Sequence, residues 1–156
     1  GGTRVASTSP GMSPELVLWS EANEVFPHGT VAEVVDVETG LTFRVKRYYG
    51  HHHADVEPLT RQDTETIKRL YGGSFSWNRR AVIVSVNGRQ MAASMNGFPH
   101  GNSSITSNGF PGHFCIHFLG SRLHLDGTIH RSHQEMVLRA VGYAASPLWF
   151  AGDRTR

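Results

Sequence analysis

The chain reads as an α+β domain, a predominantly antiparallel β-sheet with about three helices, and three local patterns carry that reading. Asn87-Gly88 stands between two apolar runs and is the strongest short hairpin signal in the 156 residues. Glu38-Thr39-Gly40 supplies a second turn, with Gly40 free to take positive φ. Ser13-Pro14-Glu15, Thr60-Arg61-Gln62-Asp63 and Ser132-His133-Gln134-Glu135 each resemble the start of a helix.

Taken in order, Ser13 as N-cap and Pro14 at the first helical position open a helix to about Val25, stopped by Pro27 and Gly29. Residues 30–37 and 41–48 alternate apolar and polar side chains and pair across the 38–40 turn. The Thr60 box, with Asp in place of Glu, starts a helix through roughly Tyr71, and Gly72-Gly73 ends it. Residues 81–86 form an apolar strand returning through 89–95. Residues 96–112 are rich in Gly, Asn, Ser and Pro and read as a long loop, a length that is uncommon unless it serves a function. A strand over 113–119 and a helix over roughly 133–144 complete the chain. Residues 1–12 read as a linker or an added end, and 13–150 as one catalytic domain to which further domains attach in a longer protein.

Composition narrows the partners. A net charge of +2 without any Lys/Arg block does not favour nucleic acid. No run of about 18 apolar residues exists to span a membrane. One cysteine excludes an internal disulfide framework and fits either the cytosol or a secreted protein with a catalytic thiol.

The chemistry concentrates around that cysteine. In a strand, His113, Cys115 and His117 share one face, while Phe114, Ile116 and Phe118 fill the other as core. A thiol flanked by imidazoles suits a nucleophile, and imidazolium neighbours are expected to lower its pKa. His100 lies 15 positions earlier, in the loop that leads into this strand, and is the expected general base. Ten histidines make a second chemistry available. His53 and Asp55, completed by His113 or His117, form a possible zinc half-site, although their spacing matches no recognised zinc signature. Arg79, Arg80 and Arg122 are candidate carboxylate clamps, and Phe75 and Trp77 candidate pocket or core aromatics.

The order strand hairpin, His100-Gly101, then Gly112-His113-Phe114-Cys115 resembles the catalytic domain of L,D-transpeptidases, the YkuD-like fold, over roughly residues 30–125. Gly112 replaces that family's hydroxyl residue, Phe114 its glycine, and His117 its arginine two positions after the cysteine. The resemblance implies Cys115 as nucleophile, with His100 and His113 as catalytic imidazoles and no cofactor. It also implies peptidoglycan stem peptides as substrate and an extracellular or cell-wall location. A thioester on Cys115 would form with loss of D-alanine, then pass to an amine or to water. His117, Arg122 and Gly101 are the expected substrate contacts. The alternatives are a zinc-dependent peptidoglycan hydrolase using His53, Asp55 and a histidine of the 113–117 strand, and a non-catalytic wall-binding module.

Overall fold

The computed structural model describes residues 14–123 and 127–142. Six strands, β1 (Val31–Asp36), β2 (Thr42–Tyr49), β3 (Ala54–Pro58), β4 (Ser76–Val86), β5 (Arg89–Gly97) and β6 (Phe114–His117), close into a barrel in the order β1-β2-β3-β6-β5-β4. All neighbouring strands run antiparallel. Three helices accompany them: α1 (Trp19–Val25), α2 (Arg61–Leu70) and α3 (Arg131–Ala140). The α+β class and the antiparallel pairing are as the sequence predicts; the closure into a barrel is not part of that expectation.

The expected hairpins form. Residues 87–88 join β4 to β5, with Asn87 at φ 50°, as a tight turn with positive φ requires. Asp36 holds the 38–40 turn by accepting from the Thr39 N–H and hydroxyl at 2.9 and 2.7 Å. At α2, Thr60 and Asp63 exchange the reciprocal bonds of a capping box, so Asp serves where Glu is usual.

Three local expectations are corrected. Ser13 lies outside the described residues, and no helix runs through Pro14 and Glu15. Glu15 instead bonds both Gln90 and Ala92 through its backbone beside β5, and its carboxylate pairs with Arg89 at 2.7 Å. α1 therefore begins only at Trp19. The helix expected from Ser132 begins earlier, with His130 as N-cap, because the Ser132 hydroxyl meets His130 Nδ1 rather than a free backbone N–H. α3 ends at Ala140, and residues 143–144 lie outside the described residues. Finally, β3 has no counterpart among the elements the sequence predicts. Its inward Ala54 and Val56 alternate with Asp55 and Glu57, which are buried outside the barrel wall, so it carries no polar-out signature.

Inside the barrel, Phe114, Ile116 and Phe118 join Val34, Val45, Val56, Val84 and Met95 in one core. Each fully buried side chain of this kind contributes about 1.5–3 kcal/mol. A one-residue slip of β6 would exchange that set for His113, Cys115 and His117, so the strand's facing is fixed. The outer face of β4 and β5 is covered by α3, which also reaches the end of β6. Gln134 ties the helix down, accepting from the Gly120 N–H and donating to the Phe118 carbonyl, both at 3.0 Å.

Candidate functional site

Alternation places His53, Asp55 and Glu57 of the β3 segment beside His113, Cys115 and His117 of the β6 segment, all on the outer wall, with Asp55 directly opposite Cys115. The long loop is bound to this wall. Glu57 accepts from the Ser104 N–H, the Ser104 hydroxyl and the Ile105 N–H at 2.8, 2.6 and 2.9 Å. Asn108 donates to the Pro58 carbonyl at 2.8 Å. A loop so held can aim a side chain.

It aims His100. The backbones of His100 and His113 exchange both hydrogen bonds, at 3.0 and 2.8 Å, in an isolated antiparallel bridge. Gly112, at φ 133°, makes the approach possible: a Cβ there would stand 2.6 Å from the His100 carbonyl oxygen. His100 Nε2 consequently lies 3.3 Å from Cys115 Sγ, while its Nδ1 lies 2.8 Å from the Phe98 carbonyl oxygen. A carbonyl only accepts, so Nδ1 carries the hydrogen and the Nε2 lone pair faces the thiol.

Two further imidazoles are oriented in the same way. His53 Nδ1 lies 2.7 Å from the Arg122 carbonyl oxygen, and His113 Nδ1 lies 2.6 Å from that of Asn102. Their Nε2 atoms turn to opposite oxygens of Asp55, at 3.1 Å from His53 and 3.7 Å from His113. Cys115 Sγ stands 3.7 Å from Asp55 Oδ1. Three imidazoles, one carboxylate and one sulfur thus converge.

The electrostatics differ from the expectation. Burial, and then the charge of Asp55, push the Cys115 thiol pKa up rather than down. Burial, relieved in part by the Phe98 carbonyl and opposed by Asp55, leaves the His100 pKa below its ordinary value. The resting pair is a neutral thiol beside a neutral imidazole.

Cys115 is 5% exposed, and polar side chains, His100 and Asp55, stand beside its sulfur. A cleft of about 480 Å³ is lined by Tyr48, Tyr49, Asp55, His100, Gly101, Asn102 and His113; it reaches Cys115 through its neighbours Asp55 and His100, Cys115 itself not lining it. Tyr48 packs on His113 at 5.5 Å between centroids, and Trp77 lies 4.8 Å from His100 while stacking on Phe98 at 5.0 Å. Trp77 and Phe98 are exposed, so they extend an aromatic wall beyond the base.

The remaining candidates have definite places: Arg79 donates to the Trp77 carbonyl at 2.6 Å, with its other terminal nitrogen 3.5 Å from His130 Nε2. Gly101 lies on the cleft rim, where the missing Cβ makes room for the His113 ring. His117 is not open to substrate, a correction to its expected role. It is 1% exposed and lies in a stack of rings, 3.7 Å from His133 and 4.5 Å from His53. Arg122 serves through its backbone carbonyl on His53, while its guanidinium reaches the Gly127 carbonyl. Arg80 clamps a carboxylate of this chain, Asp36, at 2.8 and 3.0 Å. Phe75 packs against Phe110 in the core. Of the histidine triplet, His51 is exposed, whereas His53 is buried in the site.

Two contributors went unnoticed in the sequence. Asn96 on β5 is buried with its Oδ1 3.5 Å from the Cys115 N–H. His133 on α3 closes the ring stack and meets Ser94 Oγ at 2.8 Å. The alternation of β5, which faces Ser94 and Asn96 outward, is the sequence signal for Asn96; His133 carries none, because its place depends on how α3 packs.

These features define a six-stranded antiparallel barrel with a Cys-His-Asp centre on its outer wall. No family model matches the chain, and neither a curated protein nor a solved structure matches it. No helix among the described residues is long and apolar enough to cross a membrane.

Proposed function

We propose that the protein is a cysteine acyltransferase of the L,D-transpeptidase type, acting on peptidoglycan stem peptides at the cell wall through a thioester on Cys115. The observation that carries this reading is the 3.3 Å approach of Cys115 Sγ to the His100 Nε2 lone pair, with Nδ1 anchored on the Phe98 carbonyl. Nucleophile, base and orienting group stand in the relation that such catalysis needs.

Because the resting thiol is neutral, proton transfer accompanies attack. The S–H proton passes to His100 Nε2 as sulfur bonds to the substrate carbonyl carbon. The tetrahedral adduct collapses, the C–N bond breaks, and the departing amine takes the proton from His100. An acceptor amine or water then loses its proton to His100, attacks the thioester carbon and releases the sulfur, which recovers the proton. Asp55 is close enough to favour the transient positive charge on the imidazoles. The cleft lies in the size range of small-ligand sites, and the exposed Trp77 and Phe98 offer apolar contact to an extended peptide. The stem-peptide assignment itself comes from the resemblance of His100-Gly101 and His113-Phe114-Cys115 to the L,D-transpeptidase motifs.

Turnover of a tetrapeptide stem, read as D-alanine release in the presence of a chelator, tests the proposal. Wild-type protein is expected to turn over and Cys115→Ala to be inactive while keeping its thermal unfolding transition. Release that persists in Cys115→Ala and stops with chelator would instead support the zinc hydrolase. Binding to peptidoglycan without any release would support the wall-binding module.

A further inference from the structure

We propose that the same centre is a zinc site, in which His53 Nε2, an Asp55 carboxylate oxygen and Cys115 Sγ hold one Zn²⁺ with a fourth position facing the cleft. Their ligand atoms all lie within 4.8 Å of one another, and all three residues are buried. His53 is aimed inward by a fixed partner. His53 gives its Nδ1 hydrogen to the Arg122 carbonyl, so Nε2 is the nitrogen turned to Asp55. His53 Nε2 and Asp55 Oδ1 stand 3.1 Å apart.

The spacings suit zinc. Tetrahedral Zn²⁺ with ordinary bond lengths separates a nitrogen from an oxygen ligand by about 3.4 Å and a sulfur from an oxygen ligand by about 3.6 Å. The corresponding distances here are 3.1 Å and 3.7 Å. The carbonyl behind His53 is the outer support that metal-bound imidazoles normally have. Asp55 lines the cleft, which gives the ion an entry path. The mixed nitrogen, oxygen and sulfur set favours zinc over the hard cations calcium and magnesium.

Binding exchanges one proton for one bond. The S–H proton leaves to solvent, a Zn–S bond forms, and no electron is transferred. A sulfur held this way cannot attack a carbonyl, so zinc switches acyl transfer off and a chelator restores it. That effect on turnover rests on the proposed function, whereas the existence of the site does not.

The test is titration of metal-free protein with Zn²⁺ against a chromophoric chelator. It is done in a His51→Ala/His52→Ala background so that the neighbouring imidazoles do not contribute. One equivalent bound more tightly than about 1 µM is expected. His53→Ala, Asp55→Asn and Cys115→Ser are each expected to weaken binding about 100-fold or more. Co²⁺ substitution adds a readout that does not depend on turnover: a thiolate-to-metal charge-transfer band, present in the background protein and absent in Cys115→Ser. Affinity weaker than about 10 µM, or tight binding that survives Cys115→Ser or His53→Ala, overturns the proposal. Zinc binding without any acyl transfer would leave this site standing and remove the proposed function.

Discussion

His100 and His113 are joined backbone to backbone by two hydrogen bonds of 3.0 and 2.8 Å, and that bridge sets the imidazole of His100 3.3 Å from the Cys115 sulfur. A base carried on a loop is thereby registered to the strand that carries the nucleophile. The relationship requires Gly112, whose backbone lies against His100 in a conformation that other residues rarely adopt.

Replacing the base tests the pairing. His100→Ala is expected to lower kcat/KM by about 10²–10⁴, the usual contribution of a positioned proton acceptor. Circular dichroism and the unfolding midpoint should change little, because the half-exposed ring donates only to the neighbouring Phe98 carbonyl. Full activity in this variant would assign the base elsewhere.

Gly112→Ala acts on the same pair through the backbone. The new Cβ would meet the His100 backbone at 2.6–2.9 Å, and the residue would be held at φ 133°. Strain of this kind costs about 1–3 kcal/mol. Denaturant unfolding should show that loss, and activity should fall at least as far as the strain moves His100 away from sulfur. A variant with wild-type stability and rate would mean that the bridge does not position the base.

Glu57 holds the loop in place by accepting three hydrogen bonds from Ser104 and Ile105. Bonds to a charged group are worth about 1.5–3 kcal/mol each, less in sum because the bonds share one carboxylate. Glu57→Ala is expected to destabilise by about 3 kcal/mol and to speed amide hydrogen exchange across residues 98–112. Unchanged exchange in that segment would show the loop to be anchored by other contacts.

Stability should also depend on pH through the ring stack under α3. Burial, reinforced by Arg79, His130 and His53, holds His133 well below the ordinary histidine pKa, and burial with its histidine neighbours does the same to His117. The unfolded chain takes up protons near pH 6.5 that the folded chain refuses, so stability is full above about pH 7 and falls as the pH drops through 6.5. Each such histidine costs about 2 kcal/mol by pH 5. His133→Gln, which removes the titration of that group, should flatten the pH dependence of the unfolding midpoint. A wild-type midpoint that rises between pH 7 and pH 5 would contradict this.

Much of the molecule was legible in the residue order. Asn87-Gly88, the 38–40 turn and the Thr60 box each have a local cause, and each formed where expected. The facing of His113, Cys115 and His117 was legible too, because three apolar side chains between and beyond them demanded the interior. What failed depended on distant partners. β3 places Asp55 and Glu57 beneath a loop and so lacks the exposed polar face that marks a strand. The thiol was expected beside positive imidazoles, but the nearest charge belongs to Asp55, brought opposite it by pairing between strands 60 residues apart. His117 looked like a contact for substrate because α3, which covers it, lies beyond it in the chain.

The central claim is a covalent bond between substrate and one sulfur. Intact-mass spectrometry of the protein mixed with a tetrapeptide donor, followed by peptide mapping, measures it directly. The account predicts a mass gain equal to the donor less D-alanine, located on Cys115, formed rapidly in wild type and slowly in His100→Ala. No adduct on Cys115 while the donor is being consumed would contradict it.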